Sequence, residues 1–575
     1  MTSCSSTTRQ PVSTTRPSSP TRILSQPRPF ASVYRDLVLG SMVWVGLRCA
    51  GGVSHAYAAR RVQSHEKRHS LLVFAANWRY SSYEARARSL CHIGTGVAAH
   101  RAGVMVGFER LSGLDESFLG FETRNAPMHV AVTGIFERGP LGRARGGIDL
   151  DRIREHIAAR LPRMPRFRQR LAHGPLLRDA VWVDDDRFDI ACHLRHASLP
   201  HPGSAEQLTQ RCAEILERPL DRRRPLWETW VVEGLAGGGF ALVAKVHHCI
   251  VDGVAGIGML AALLDVEPTP ADTAACVWEP RPAPTARDLL RDEIARRAGA
   301  TMDLGRALRR AVTDPRAGVA RIGTAAGSLW RLLRTGLSPA PAVSFNRPIG
   351  PHRDVAWRQF DLGTVKAVAR RLGGTVNDVV LTVVSGAIGE ALSAYGEDVP
   401  REPLRAVVPV SIRTAEELGA PGNRVSLWIV PLPAHDPDPG SRFQTIHATT
   451  DELKRGDEAA GGSVLAEAAN WAGGTVVESA ARLIGSARIY NLIVTNVPGP
   501  SVPLYLAGAR MREVYPHLPL FERQGISIAL LSYVGQLAVC IGADFDLSDL
   551  LREIVERMEA GLAEVAALVG LTAEG

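Results

Sequence analysis

The stretch that most constrains this chain is His247-His248-Cys249-Ile250-Val251-Asp252-Gly253. Before it runs Phe240-Ala241-Leu242-Val243-Ala244-Lys245-Val246, short and rich in strand formers, and after it Val254 to Leu264 reads as a buried apolar helix. Two histidines therefore stand where a strand meets a loop. Neighbouring strand residues point to opposite faces, so the pair is not built to line one pocket or chelate one metal, and one imidazole is left for chemistry. Asp252 is near enough to turn back on an imidazole or to pair with an arginine, and Gly253 lets the chain turn into the helix. An isolated pair of this kind reads as a core histidine pair with an aspartate cap. The strand before and the helix after make the whole constellation far more specific than its parts.

A chain of 575 residues exceeds one ordinary core. An apolar fraction of 45% with mean hydropathy near zero describes a globular protein, and no unbroken apolar run of membrane-spanning length occurs, so no spanning helix is expected. The net charge of +8 suits an anionic partner such as nucleic acid, a phosphate-bearing cofactor or an anionic membrane face. It does not by itself indicate nucleic acid, and no nucleic-acid partner is expected. The eight cysteines, among them Cys249, are scattered without CxxC or any metal-like spacing, so they read as free thiols and no metal site is expected.

Residues 1–104 differ from the rest. Their first 29 residues are rich in Ser, Thr, Pro and Arg and hold no acidic residue, a composition that cannot build a core. They are expected to be disordered, a loose basic anchor, or an extension upstream of a true start near Met105. Residues 105–264 form an expected first lobe, with strands over Met128 to Phe136, Ala180 to Val183 and Thr229 to Val232 and helices over Asp149 to Leu161 and Leu208 to Leu216. Residues 265–344 begin as a proline- and alanine-rich linker. They continue as basic helical segments containing Arg296, Arg297, Arg306, Arg309 and Arg310 and then Leu329-Trp330-Arg331, which suit either a membrane surface or a helical crossover packed between lobes. Residues 345–575 form the second lobe. Helices are expected over Leu362 to Leu372, Val379 to Leu392 and Leu547 to Leu568, strands over Leu404 to Ser411 and Gly422 to Val430, and a hairpin over Ile526 to Asp544 turning at Val534-Gly535.

Five ordered segments join the histidine stretch: Leu111-Ser112-Gly113-Leu114-Asp115-Glu116-Ser117-Phe118 with Pro127-Met128-His129-Val130; Pro219 to Glu228, which includes Asp221-Arg222-Arg223-Arg224 and Trp227; Asn377-Asp378; Val408 to Arg413; and Asn496-Val497-Pro498-Gly499-Pro500. Together with HHxxxDG they resemble the bacterial wax ester synthase/diacylglycerol acyltransferase family, within the acyl-CoA-dependent acyltransferases of chloramphenicol acetyltransferase-like fold, from about residue 109 to 565. The resemblance implies an α/β fold of two lobes with mixed sheets and a tunnel between them, faced by HHxxxDG. One departure is the strand at Ile526-Ser527, where the family commonly has an asparagine and Ser527 is the candidate substitute.

Through the resemblance, His248 becomes the general base, His247 a positioning residue, and Asp252 with Gly253 the residues that fix the loop. An alcohol needs a base whose pKa lies near 7 to attack a thioester, and such catalysis is worth about 10²–10⁴ in rate. Asn377, Ser411 and backbone N–H groups are candidate oxyanion donors, with Asp378 either a helix cap or the holder of an arginine that shapes the tunnel. Cys249 reads as pointing away from His248 and is not the expected nucleophile, and no GxSxG elbow, Walker A loop or GxGxxG turn occurs. The expected reaction passes a long-chain acyl group from acyl-CoA, as cosubstrate with no bound cofactor, to diacylglycerol or a fatty alcohol. The expected location is cytoplasmic, at the inner face of the cell membrane or a lipid-droplet surface. The alternatives are a carrier-protein-dependent acyltransferase and a non-catalytic lipid-binding scaffold.

Overall fold

The structure, a computed structural model, describes residues 45–46, 56–57, 107–175, 179–250, 263–269, 278–313, 339–411, 425–460 and 488–571. Strands β1 (Val45–Gly46) and β2 (Ala56–Tyr57) pair antiparallel within a separate unit, Met1–Arg68. All other elements belong to the unit His69–Gly575. They run β3 (Phe108–Arg110), α1 (Gly113–Phe121), β4 (His129–Phe136), α2 (Leu150–Arg160), β5 (Gln169–His173), β6 (Ala180–Asp184), β7 (Leu194–Ser198), α3 (Ala205–Leu216), β8 (Trp227–Glu233), β9 (Phe240–His247) and α4 (Ala286–Thr313). There follow β10 (Arg353–Asp361), α5 (Leu362–Leu372), α6 (Val376–Ala394), β11 (Leu404–Ser411), β12 (Val425–Leu432), α7 (Pro439–Ala460), β13 (Leu492–Val497), β14 (Tyr505–Leu506), β15 (Ala509–His517), β16 (Ile526–Tyr533), β17 (Gln536–Asp544) and α8 (Ser548–Ala567).

Two mixed six-stranded sheets carry the two lobes. The first has the order β14-β15-β4-β9-β8-β7 and the second β10-β17-β16-β13-β11-β12, while β3, β6 and β5 form a small third sheet. The sequence boundary at 345 does not divide the sheets. Strand β15, from the second half of the chain, pairs antiparallel with β4 and extends the first sheet. A cut between the lobes would therefore remove a strand from one of them.

Strand β9 is buried along its whole length, because both of its faces are covered, and it is apolar as far as Ala244. Ala241 and Val243 pack with Leu208, Cys212 and Ile215 of α3, whose spacing places those three on one helical face. Phe240, Leu242, Ala244 and Val246 join the opposite cluster, which takes in Leu531 and Tyr533 of the second lobe. By the same alternation Lys245 and His247 belong to the α3 side. Lys245 is fully buried and its Nζ donates to the carbonyls of Ile215 and Arg218, both at 2.8 Å, satisfying the orphan acceptors at the end of α3.

Helix α6 is the centre of the second lobe. Thr375 and Asp378 form a capping box that starts it three residues before the expected Val379. It is long and apolar enough to cross a membrane, but 78% of its apolar window is buried inside the fold, against α7, α8 and the second sheet. Gly389 is required there, because a Cβ would lie 1.9 Å from the carbonyl oxygen of Ala434. Burial of each of its Val, Leu and Ile side chains contributes about 1.5–3 kcal/mol, so this helix anchors the lobe.

The expected hairpin is present. Strands β16 and β17 pair antiparallel and turn at Val534 (φ 45°) and Gly535 (φ 83°), the two positive φ values of a type I′ turn. The first turns of α4 lie on the third sheet, with Leu289 against Val181 and Val183 and Arg110 Nε donating to Asp292 at 2.8 Å. These first turns are therefore packed on the third sheet, while Trp330 and its neighbours lie outside the described residues. The expected helix after the histidine stretch also lies outside them, apart from buried Leu263 and Leu264.

Candidate active site

The register of β4 on β9 sets His129 directly across from His247, with the two rings edge to face at 5.9 Å. His247 ends β9 and is 1% exposed. Its Nε2 donates to Glu122 Oε2 at 2.9 Å and its Nδ1 accepts from the Cys249 N–H at 3.1 Å. These two bonds select the neutral tautomer protonated on Nε2. They also fold the turn, because Nδ1 holds the backbone of the residue that follows His248.

Glu122 lies one residue beyond α1. Arg222 reaches it with Nε at 3.2 Å and with Nη2, which also donates to the Leu119 carbonyl. Burial would raise the Glu122 carboxyl, but the hydrogen bond from His247 and the charge and hydrogen bonds of the Arg222 guanidinium outweigh it and hold the group down to about 2. His129 is buried beside this pair. Burial, with Lys245 and His247 nearby, keeps its pKa well below the usual histidine range, and its Nε2 accepts from the Leu220 N–H at 3.4 Å. It is a structural residue, as a lone histidine at a strand start suggests. The Leu220 and Arg222 contacts bring Pro219 to Glu228 against the histidine stretch.

His248 goes the other way. Its backbone N–H donates to the Met128 carbonyl at 2.8 Å and its ring stacks on Phe118 at 3.7 Å and 14°. The Nδ1 atom is buried without a hydrogen-bond partner among the described residues, so the ring is not committed to a structural bond there. Burial lowers its pKa to about 4. This corrects the expectation of a base near 7: the imidazole is neutral throughout the physiological range but weaker than a solvated histidine. Divergence of the two imidazoles follows the strand alternation read from the sequence.

Cys249 is buried among Leu119, Leu171, Trp182, Leu220 and Leu226, and burial pushes its thiol well above the usual range. A thiolate nucleophile has no support at this position. Among the described residues no group of His, Cys, Asp or Glu is arranged to hold a metal.

The second lobe separates the Asn377-Asp378 pair. Asn377 Oδ1 accepts from Asn496 Nδ2 of β13 at 2.7 Å, linking two of the ordered sequence segments and leaving the Asn377 amide N–H₂ as the group able to donate elsewhere. Asp378 is 1% exposed and accepts from the Thr375 N–H at 2.8 Å, His447 Nδ1 at 3.0 Å and Thr450 Oγ1 at 2.7 Å. Of the two readings of Asp378 the cap is the one seen here: the carboxylate caps α6 and ties it to α7. Ser411 ends β11, opposite Val425, and Asp252 and Gly253 lie outside the described residues. Ser527 is buried and faces the Leu518 carbonyl at 3.5 Å.

Known proteins agree with this architecture. The wax ester synthase/diacylglycerol acyltransferase catalytic domain matches residues 111–380 and the WS/DGAT C-terminal domain residues 421–566. A putative diacylglycerol O-acyltransferase of Mycobacterium tuberculosis is 34% identical over 486 residues, covering 82% of this chain and 93% of that protein. The chain belongs to the wax ester synthase/diacylglycerol acyltransferase family. A probable diacylglycerol O-acyltransferase of the same species is 32% identical over 469 residues, 80% of this chain and 96% of its own. The solved wax ester synthase/diacylglycerol acyltransferase of Marinobacter aquaeolei superposes with a TM-score of 0.55 at 27% identity, covering 80% of this chain and all of that one. The protein is thus an acyl-CoA-dependent O-acyltransferase of this family, with the two-lobe α/β fold expected from its motifs.

Sequence reasoning missed two residues of the site, Glu122 and Phe118. The signal was available in Leu111 to Phe118, a segment recognised as a motif but given no task. Its helix puts Phe118 under His248 and delivers Glu122 to His247.

Proposed function

We propose that this enzyme joins a long-chain acyl group from acyl-CoA to diacylglycerol or a fatty alcohol, with His248 as general base. The observation that carries the assignment is the state of His248: neutral, pinned through its backbone to Met128, stacked on Phe118, and with Nδ1 unbonded among the described residues. The imidazole takes the proton of the acceptor hydroxyl as its oxygen attacks the thioester carbonyl. A tetrahedral oxyanion forms, and its collapse expels the CoA thiolate, which receives the same proton from the imidazolium. Ester and free CoA leave, and the histidine is again neutral.

A base of low pKa needs its transition state stabilised from elsewhere, which makes the oxyanion donors important. The Asn377 amide, oriented by Asn496, is the candidate on the second lobe, with Ser411 and backbone N–H groups beside it. Glu122 and His247 position the turn.

Both acceptor lipids live in bilayers, so the enzyme works in the cytoplasm at the inner face of the membrane or on a lipid droplet. Helix α4 supports this location, because Ile294 and Met302 are 54% and 57% exposed on an arginine-rich element. The test supplies labelled palmitoyl-CoA with dioleoylglycerol or hexadecanol to purified protein, beside His248→Ala, and follows neutral lipid by thin-layer chromatography. Triacylglycerol or wax ester that disappears in the variant supports the reading. A folded wild type that makes neither, or a variant that keeps full activity, overturns it.

A further inference from the structure

The segment from Glu122 to Met128 touches both histidines and the second lobe at once. At its start, Glu122 holds the His247 ring, and at its end the Met128 carbonyl accepts the His248 N–H at 2.8 Å. Between them the chain makes a tight turn, in which the Thr123 N–H donates to the Ala126 carbonyl at 3.2 Å and the Ala126 N–H to Thr123 Oγ1 at 3.1 Å. Among the described residues, the side-chain bonds that leave this turn go to the second lobe. Thr123 Oγ1 donates to Glu522 Oε2 at 2.6 Å, Asn125 Nδ2 donates to the Ile349 carbonyl at 3.0 Å, and the Arg353 guanidinium donates to the Asn125 carbonyl. Apolar contacts close the same joint, with Phe121 edge to face on Phe521 at 5.3 Å and Ala126 and Met128 packed on Ile349 and Leu520.

We propose that residues 122–128 are a strap by which the second lobe sets the alignment of the histidine turn, with Glu522 as a positioning residue for catalysis. This rests on the reading of His248 as the base. The strap is short and closed by its own turn bonds, so a shift of the second lobe at Thr123 or Asn125 is passed to Glu122 and Met128. Because those two atoms fix the ring of His247 and the backbone of His248, the imidazole reaches its working position only when the lobes are joined. The enzyme needs such a device, since the base belongs to the first lobe and Asn377 to the second. A cavity of about 380 Å³ lined by Thr123, Arg124, Asn125, Pro351 and Glu522 opens at this joint, so the Glu522 carboxylate can be altered without disturbing a core.

The test compares wild type with Glu522→Ala, Thr123→Val and Thr123→Ser by steady-state kinetics, thermal melting and the imidazole N–H resonance of His247 in protein labelled with ¹⁵N-histidine. Glu522→Ala and Thr123→Val are each expected to lower kcat about tenfold, to leave KM for acyl-CoA close to wild type, and to move the His247 Nε2–H resonance. Thr123→Ser keeps the hydroxyl and is expected to restore all three, and the double variant to be no worse than either single one. A kcat unchanged in both disruptive variants while wild type is active overturns the strap, as does a loss fully explained by a lower melting temperature. If His248→Ala is as active as wild type, the base assignment fails instead, and the His247 resonance still decides the strap: no movement in Glu522→Ala overturns it.

Discussion

The Nε2–H of His247 donates to the carboxylate of Glu122, 2.9 Å away, so the first histidine of the HHxxxDG stretch is held by an acid from outside the motif. The same ring accepts the Cys249 N–H through Nδ1, which makes the bond to Glu122 a control on the turn that presents His248. A carboxylate can only accept here, so the tautomer is determined; an amide can accept or donate. Glu122→Gln is therefore expected to lower kcat by about ten- to a hundredfold with His248 intact. It also leaves the Arg222 guanidinium without its anion, at a cost of about 1–3 kcal/mol measurable by urea unfolding. Unchanged kcat in a folded variant would remove Glu122 from the positioning role.

Stability should fall in acid for two reasons of the same sign. Glu122 titrates near 4.5 when unfolded and at about 2 when folded, so its contribution is complete above 4.5 and is lost as pH falls toward 2. The buried histidines also have depressed folded values, about 4 for His248 and about 3 for His517. Below 6.5 the unfolded chain takes protons that the folded chain refuses, so their contribution declines from 6.5 downward and is gone below the folded values. Unfolding free energy measured by urea titration is expected to decline continuously as pH falls below 6.5. A plateau between pH 6 and 4 would contradict the burial of these rings.

The same burial sets the pH dependence of catalysis. A solvated histidine base would give kcat/KM an acid limb near 6.5; His248 is expected to place it near 4. Phe118→Ala opens the stacked face of the ring to water, so the limb should move upward toward 6.5 while activity near neutrality changes less than in His248→Ala. A limb that stays put in Phe118→Ala would mean that stacking on Phe118 does not cause the depression.

Cys249 offers a discriminating control. Its thiol is buried with its pKa pushed up, while its backbone N–H is what His247 uses. Cys249→Ala keeps that N–H, so kcat is expected to stay within about threefold of wild type, whereas a covalent mechanism through this thiol would lose about 10² or more. Steady-state assays of the variant decide between them.

How much of this was legible beforehand follows from the range of each signal. Strand alternation is local, so the divergence of His247 and His248 could be read directly, and capping is local, so Asp378 could be read as a cap. The Val534-Gly535 turn announced its hairpin for the same reason. Glu122 could not be found this way, because its partner lies 125 positions along the chain and only the pairing of β4 with β9 and the packing of α1 bring them together. The depressed pKa of His248 depends on a ring delivered by that same helix. No strand was expected over Ala509–His517, and the placement of β15 in the first sheet is likewise a long-range outcome that local pattern does not carry.

Asn377 and Asp378 are adjacent in sequence and should fail differently. Asp378→Ala removes the acceptor of the Thr375 N–H, His447 and Thr450, three groups on two helices, and is expected to cost about 1–3 kcal/mol of stability with kcat largely retained in the molecules that stay folded. Asn377→Ala breaks one half-exposed bond to Asn496, so its stability cost should be small, about 1 kcal/mol or less. If its amide donates to the oxyanion, kcat should fall by about 10²–10³, with KM for acyl-CoA little changed, and Asn496→Ala should lose part of the same factor by releasing the amide it orients. Melting temperature and steady-state kinetics on the three variants separate the roles. A catalytic loss confined to Asp378→Ala would transfer the assignment from the asparagine to the cap, and Ser411 would then be the next donor to test.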